Sequence, residues 1–243
     1  MPQSVLITGA AKRIGRSLAL AFAESGWRVA IHYNRSRDEA EALLASLGGT
    51  ATGHAIVQAD FSEPASAARV IPDLQTQGFI PDVLINSASK YTRLPLAKAT
   101  PELLSEAMTV NFQAPFELMR SFHSQIGKGC IINILDQRVA YVDPAAGPYA
   151  LAKKSLRDAT LAAALEWAPD IRVNAIAPGL VLSPPGVPAE RLQPLISRIP
   201  TQARTTEGDL GSAALFLATS PAITGQILYV DGGLHLLGHA VES

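Results

Sequence analysis

Short apolar runs recur at residues 4–8, 28–33, 54–58, 83–86, 130–135, 172–176 and 227–230, and the early ones are rich in Val and Ile. Runs that are apolar throughout, rather than alternating, are the pattern of parallel strands buried on both faces. Between them lie longer stretches with helical spacing, near 13–25, 36–47, 63–76, 101–124, 145–168 and 206–219. Strand and helix in regular alternation predict an α/β fold, a parallel sheet with helices on both faces. Right-handed crossovers then make it doubly wound. No linker or shift in composition interrupts the alternation, so residues 1–243 are expected to form one domain. Only residues 180–205 break the rhythm, with Pro184, Pro185, Pro188, Pro194 and Pro200. Proline at that density prevents a long helix or a central strand. An insert of this kind after a late strand is read as a substrate lid, with a surface excursion as the alternative.

Composition narrows the partners. The 243 residues are 48% apolar and 17% charged, with a formal net charge of −1; an average soluble domain carries about 25% charge. Near balance of sign argues against a protein that grips nucleic acid or anionic lipid electrostatically. The one cysteine, Cys130, excludes an internal disulfide and a cysteine-based zinc cluster, and no metal is expected. The first apolar stretch is too short for an export signal and is followed by Lys12 and Arg13. The late uncharged stretch at 215–230 is broken by Pro221 and Gly225, so it does not read as a membrane span. A cytoplasmic protein acting on a small molecule, with neither a nucleic-acid nor a membrane partner, is the expectation.

Candidate chemistry begins where the first strand runs into Thr8-Gly9-Ala10-Ala11-Lys12-Arg13-Ile14-Gly15 and a helix. A glycine-containing turn from a strand into a helix is where backbone N–H groups and the helix dipole receive a pyrophosphate. Arg13 stands where a third glycine would, exchanging backbone freedom for a cation beside the phosphates. The second strand ends in His32-Tyr33-Asn34-Arg35-Ser36. A carboxylate there would accept from an adenosine 2′-hydroxyl and repel a 2′-phosphate. Arg35 and Ser36 instead suit a phosphate, so NADP(H) is expected over NAD(H); Ser36 also reads as the N-cap of the next helix. Tyr149 and Lys153, four residues apart, share one helical face. A neighbouring ammonium favours phenolate and is expected to lower the tyrosine pKa from about 10.

Over essentially its whole length the chain resembles the short-chain dehydrogenase/reductases, which have a Rossmann-type fold. The landmarks are Thr8-Gly9 to Gly15, Asp60, Asn86-Ser87-Ala88, Asn111, Tyr149 with Lys153, Pro178-Gly179 and Asp231-Gly232-Gly233. The resemblance implies that Tyr149 gives or takes the proton, while Lys153 tunes it and holds the nicotinamide ribose. Asn111 would anchor a water linking Lys153 to a proton relay. The cofactor, NADPH, would lie on Gly9, Arg13, Ile14 and Gly15, with Tyr33, Asn34, Arg35 and Ser36 at its 2′-phosphate end. Asp60 and Phe61 would border the adenine, and Asn86, Ala88 and Ser89 would line the cleft. Pro178, Gly179, Leu180 and Ser183 would pass beside the nicotinamide and pyrophosphate. The resemblance further implies a homotetramer or homodimer built through the helices at 101–124 and 145–168. Leu156, Leu161, Leu165 and Trp167 exceed what one helix face needs for its own core, although they could equally be buried within the subunit.

Departures from the general pattern point to one branch. Arg13 replaces the middle glycine, Ser87 and Ser89 replace an Asn and a Gly, and Asp136 stands where a catalytic serine is expected. A serine hydroxyl donates to a ketone oxygen as charge develops there; an ionised aspartate cannot donate and repels that charge. Together these changes resemble the pteridine reductases and their dihydromonapterin-reductase relatives. That branch implies hydride transfer from NADPH to a pterin C=N bond. Arg13 would bridge cofactor phosphate and pterin, Tyr91 would stack on the pterin, and Asp136 and Tyr149 would contact it. Tyr91 could instead pack a loop, and Lys90 departs from the branch. The alternatives are a reductase of 3-oxoacyl or other ketones and a non-catalytic NADP-binding protein.

Overall fold

The computed structural model describes residues 3–183 and 193–241. Seven strands form one parallel sheet in the order β3-β2-β1-β4-β5-β6-β7. They are β1 (Ser4–Ile7), β2 (Arg28–Tyr33), β3 (Ala55–Gln58), β4 (Val83–Asn86), β5 (Gly129–Ile134), β6 (Ile171–Pro178) and β7 (Ile227–Val230). All seven predicted strands are present within a residue or two of their expected ends. The order reverses between β1 and β4, so the loops leaving those strands diverge and open a crevice at their carboxyl ends.

Apolarity on both sides of each strand is used twice. Leu6, Ala30, Leu84, Ile131 and Val173 face one core, with Val70, Ile71 and Leu74 of α3 (Pro64–Thr76) packed on it. Their neighbours in sequence, Val5, Ile7, Val29, Ile31, Val83, Ile85 and Ile132, face the other. Leu18 and Phe22 of α1 (Arg13–Glu24) and Leu43 of α2 (Arg37–Ser46) cover that second face. A two-residue period sends alternate side chains to opposite faces, so both sets must be apolar.

The stretch expected as one helix at 101–124 is three pieces. α4 (Pro101–Met108) leads into a π-helical turn at Thr109–Gln113 and then into α5 (Ala114–Gln125). Pro115, the second residue of α5, has no N–H to offer the carbonyl four residues back, that of Asn111, and its ring crowds that carbonyl. Inserting a π turn relieves the conflict. α6 (Gly147–Glu166) buries Tyr149 and Lys153 in its first two turns. Leu156 belongs to the core and Trp167 is partly buried, stacked on His123 at 4.8 Å; Leu161 and Leu165 stay exposed, at 42% and 86%. The subunit thus accounts for two of the four residues suspected of serving an interface.

Part of the proline-rich insert, residues 184–192, lies outside the described residues. Beyond it α7 (Gln193–Ile196) leads to Ile199, which packs with Leu234 and Leu195 in a separate small cluster. α8 (Glu207–Thr219) opens with a reciprocal cap. Asp209 N–H donates to Thr206 Oγ1 at 3.1 Å, and Thr206 N–H to Asp209 Oδ2 at 2.8 Å. Among the described residues no helix is long and apolar enough to cross a membrane.

One buried side chain ties the carboxyl ends of three strands. His32, on β2, accepts from Gly9 N–H through Nδ1 at 3.0 Å, and its Nε2 lies 3.2 Å from the Ala59 carbonyl. It is 2% exposed and stacks on Phe61 with centroids 4.3 Å apart. With one nitrogen accepting and the other donating, the ring is neutral. Burial pushes its pKa down to about 4, against a smaller upward pull from the Ala59 hydrogen bond. The folded state thus refuses a proton that the unfolded chain takes up below about pH 6.5. Stability should fall as pH drops from about 6.5 to 4, by up to roughly 3 kcal/mol from this group. Urea unfolding of wild type and His32→Gln across that range checks it: the variant, less stable at pH 7, should show the flatter dependence.

Candidate active site

A cleft of about 670 Å³ opens at the carboxyl ends of the central strands. Its floor is the turn from β1 into α1, where backbone approaches backbone. A Cβ on Gly15 would lie 2.2 Å from the Gly9 carbonyl oxygen, and one on Gly9 would lie 3.0 Å from Ala88 Cα. Gly9 also needs its positive φ of 65°. Thr8 Oγ1 locks the two loops together by accepting from Ser87 N–H and Ala88 N–H, each at 2.9 Å. α1 begins with no side-chain cap, Lys12 holding the N-cap position, so its first amides are left to the cleft. This is a built cradle for an anion: side chains that would fill it are absent, and backbone donors and the helix dipole converge on it.

Arg13 occupies the left-handed region at φ 52°, although it is not glycine. Such a conformation is strained for a residue with a Cβ and persists only where the surroundings enforce it. Its guanidinium lies beside the cleft, Nη2 donating to the Ser183 carbonyl at 3.3 Å. At the far end, Tyr33, Asn34, Arg35 and Ser36 line the cleft with Asp60 and Phe61. Ser36 stands at the N-cap of α2, but its hydroxyl makes no cap hydrogen bond. Asp60 accepts from Ser62 N–H at 2.9 Å and Ser62 Oγ at 2.7 Å, and these bonds hold its carboxyl below the usual range. Lys12, which the sequence did not single out, also lines this region and pairs with Glu39 at 2.5 Å.

The opposite end brings Asp136, Tyr149, Lys153, Ser89 and Tyr91 together, with Pro178 and Gly179 on the adjoining wall. Tyr149 Oη donates to Asp136 Oδ2 at 3.2 Å. The Tyr91 ring meets the Tyr149 ring edge-on, centroids 4.9 Å apart. Lys153 is 2% exposed, and its Nζ donates to the Ile134 carbonyl at 2.8 Å.

The expected tuning of Tyr149 is reversed. Its pKa is raised well above 10, first by burial and next by the Asp136 charge; Arg138 and a hydrogen bond with Ser89 pull weakly the other way. Lys153 cannot offset this, because its ammonium is turned to Ile134 and lies 5.9 Å from the ring centroid. Burial pushes Lys153 itself down to about 8, with Asp136 raising it in part. Tyr149 is therefore a phenol at neutral pH, equipped to give a proton.

Four sequence-derived sites are placed otherwise than expected. Asn86 does not line the cleft; its Nδ2 donates to Asn133 Oδ1 at 2.8 Å, within the layer between β4, β5 and the helices. As Leu84 faces that layer, the two-residue period sends Asn86 the same way. Asn111, fully buried, is saturated. Its Oδ1 accepts from Ser89 Oγ at 2.8 Å and Lys90 N–H at 3.0 Å, and its Nδ2 donates to the Lys90 and Ala107 carbonyls at 3.0 Å each. The side chain thus anchors the Ser89–Lys90 loop, leaving only its backbone for a water. Leu180 and Ser183 lie outside the cleft wall, the Ser183 carbonyl meeting Arg13 at its edge. Arg138 was missed: its Nη1 lies 3.3 Å from both Asp136 oxygens, and its Nε donates to Asp143 at 2.7 Å. Only its position two residues after Asp136 could have hinted at it.

A nucleotide-shaped cradle joined to a buried Tyr149–Lys153 pair places the chain among the short-chain dehydrogenase/reductases. A family model described as enoyl-(acyl carrier protein) reductase matches residues 9–235, and the chain belongs to that family. The 3-oxoacyl-[acyl-carrier-protein] reductase FabG of Staphylococcus aureus is 29% identical over 244 residues, covering 97% of this chain and 99% of that protein. Pteridine reductase 1 of Leishmania tarentolae is 30% identical over 280 residues, covering 95% and 96%. Among solved structures, FolM alternative dihydrofolate reductase 1 from Brucella canis, complexed with NADP, superposes with a TM-score of 0.90. It is 32% identical and covers 96% of this chain and 94% of its own. The Brucella suis counterpart in complex with NADP gives 0.91 at 31% identity, covering 96% and 95%.

The strain at Arg13 separates folding from binding. Arg13→Gly should leave thermal stability unchanged or raise it by up to about 1 kcal/mol, since glycine adopts this φ freely but is more mobile unfolded. The same change should weaken NADPH binding roughly tenfold by removing the cation. Thermal unfolding and a fluorescence titration with NADPH read the two effects.

Proposed function

We propose that this protein is an NADPH-dependent reductase of a pterin C=N bond, with Tyr149 as the proton donor. The observation that carries the reading is the carboxylate of Asp136, 3.2 Å from the Tyr149 hydroxyl where a ketone reductase would present a donor. A ketone oxygen gaining negative charge would be repelled there. A pterin presents ring N–H and amino groups, which a carboxylate accepts. The similarity to pteridine reductase 1 and to the FolM proteins supports the same substrate class.

The cradle fits NADPH. The first-turn amides of α1, with Gly9, Ile14, Gly15 and Arg13, would hold the pyrophosphate, and Arg35, Ser36 and Lys12 the 2′-phosphate. Asp60 and Phe61 would border the adenine, and Lys153 the nicotinamide ribose. When bound, the nicotinamide supplies the hydride. Tyr149, a phenol held by Asp136, gives a proton from Oη to the acceptor or to a water serving it. Lys153, cationic below about pH 8, would favour the phenolate left behind once its ammonium turns from Ile134 to face the hydroxyl. Any relay through Asn111 passes by its main-chain carbonyl, which Pro115 deprives of its α-helical donor. Tyr91 offers a flat face to the pterin. Exposed Leu161 and Leu165 on α6 support assembly into a homodimer or homotetramer.

The resemblance to 3-oxoacyl-[acyl-carrier-protein] reductases favours a second reading, reduction of a ketone. NADPH oxidation with dihydrobiopterin, dihydromonapterin, dihydrofolate and a 3-ketoacyl thioester decides between them. Turnover of a pterin or folate is expected, and turnover of the thioester alone overturns the assignment. Asp136→Ser should depress pterin reduction by about a hundredfold and leave any ketone reduction undiminished.

The Lys153 pKa of about 8 sets an alkaline limit. The kcat/KM for NADPH, which reports the free enzyme, should fall above about pH 8 as Lys153 loses its proton. Asp136 holds that pKa up, so Asp136→Asn should move the limb to lower pH; pH–rate profiles of the two proteins check this.

A further inference from the structure

Asp136 does not face Tyr149 alone. Its Oδ1 accepts from Arg138 N–H at 2.9 Å, capping the short turn Gln137–Ala140, and Arg138 Nη1 lies 3.3 Å from each carboxylate oxygen. The other edge of the guanidinium is anchored on Asp143, whose side chain is 2% exposed and whose Oδ1 accepts from Ala145 N–H at 2.8 Å. The guanidinium carbon also stands 5.6 Å from the centroid of the Tyr91 ring. Asp136, Tyr91 and Tyr149 all line the cleft, whereas Arg138 does not. One fixed cation behind the wall thus touches two of the groups that form it and acts on the third.

We propose that Arg138 is a positioning residue for the reduction, fixing the Asp136 carboxylate with Oδ2 toward the Tyr149 hydroxyl and bracing Tyr91 against the same ring. A carboxylate at the end of a strand has a free χ1 and two equivalent oxygens. Without the Arg138 side chain, the Arg138 backbone N–H on one oxygen and the longer Tyr149 hydroxyl bond on the other would be left to orient it. A planar guanidinium engages a carboxylate, a second acid and an aromatic ring in one fixed geometry, which the compact ammonium of a lysine lacks the fork to impose. Its charge also offsets that of Asp136 at the phenol, in the same sense as its effect on Tyr149. Tyr91 is 47% exposed and meets the Tyr149 ring edge-on, and the guanidinium adds a contact on its ring.

The inference rests on Tyr149 as the acid but not on which substrate it serves. The test therefore uses whichever compound of the panel above turns over, so that failure of the pterin reading leaves it intact. Arg138→Met should lower kcat about tenfold through Asp136 and raise KM a few fold through Tyr91, with NADPH affinity unchanged. Arg138→Lys, which keeps the charge but loses the fork, should fall between; it carries the test alone if Arg138→Met does not fold. In an Asp136→Asn background the kcat loss should vanish while the KM rise stays. An unchanged kcat, or an equal kcat loss in that background, overturns the proposal, leaving Arg138 as a tie between Asp143 and its turn.

Discussion

The active end of this molecule depends on the approach of two loops above the β1–β4 pair. Gly9, Gly15 and Ala88 meet with no room for another carbon, and Thr8 holds them with one hydroxyl that accepts twice. A doubly wound sheet makes the crevice, because the chain turns to opposite sides after β1 and β4. Only the backbone contact makes it shallow enough for the first amides of α1 to reach a phosphate. His32 extends the same constraint sideways, joining Gly9 to Ala59 through a neutral ring that burial keeps unprotonated. The cradle is thus stabilised by interactions on the side away from the ligand, leaving the donors on the near side unspent.

At the other end the arrangement is electrostatic. Tyr149 is buried beside a carboxylate, which keeps its proton on; Lys153, buried in the layer beneath, has its own charge weakened by desolvation. These shifts run opposite to those of a phenolate–ammonium pair. They suit an acid that must hold a proton until charge develops nearby. Asp136 serves both as acceptor for the phenol and as partner to Arg138, so a local change at either residue reaches the other.

The strands were legible because a sheet buried on both faces makes each of them mostly apolar, with few polar positions such as His32 and Asn86. The cleft residues were legible where they lie on loops after strands, as at Gly9, Asp60 and Ala88, or on one face of a helix, as at Tyr149 and Lys153. Asn86 was misplaced because it still belongs to the strand, whose alternation turns it inward toward Asn133. The π turn at Thr109–Gln113 could have been suspected from Pro115, but its consequence for the Asn111 side chain depends on where the Ser89–Lys90 loop lands. Lys153 shares a face with Tyr149 as the spacing requires, yet spacing cannot say that its ammonium will turn to Ile134. Arg138 was hidden for the same reason: its partners, Asp136, Asp143 and Tyr91, come together only in three dimensions.

Arg13 bears a backbone strain that the fold does not require. A left-handed φ at a residue with a side chain opposes folding, and a glycine would remove the strain without altering the backbone path. An arginine there brings a cation to the cleft in spite of that strain. It stands between the anion cradle at the start of α1 and Ser183, at the edge of the wall that borders Asp136 and Tyr149. A cation at that junction can hold a phosphate on one side and an electron-rich ring edge on the other. On the proposed reading, Asp136 would accept from the donors of that ring. On that reading the two residues would form a complementary pair, one positive and one negative, facing a flat heterocycle that carries acceptors and donors on its rim. A simple ketone would need Arg13 for the cofactor alone and would meet a repulsive charge at Asp136 as its oxygen gains charge.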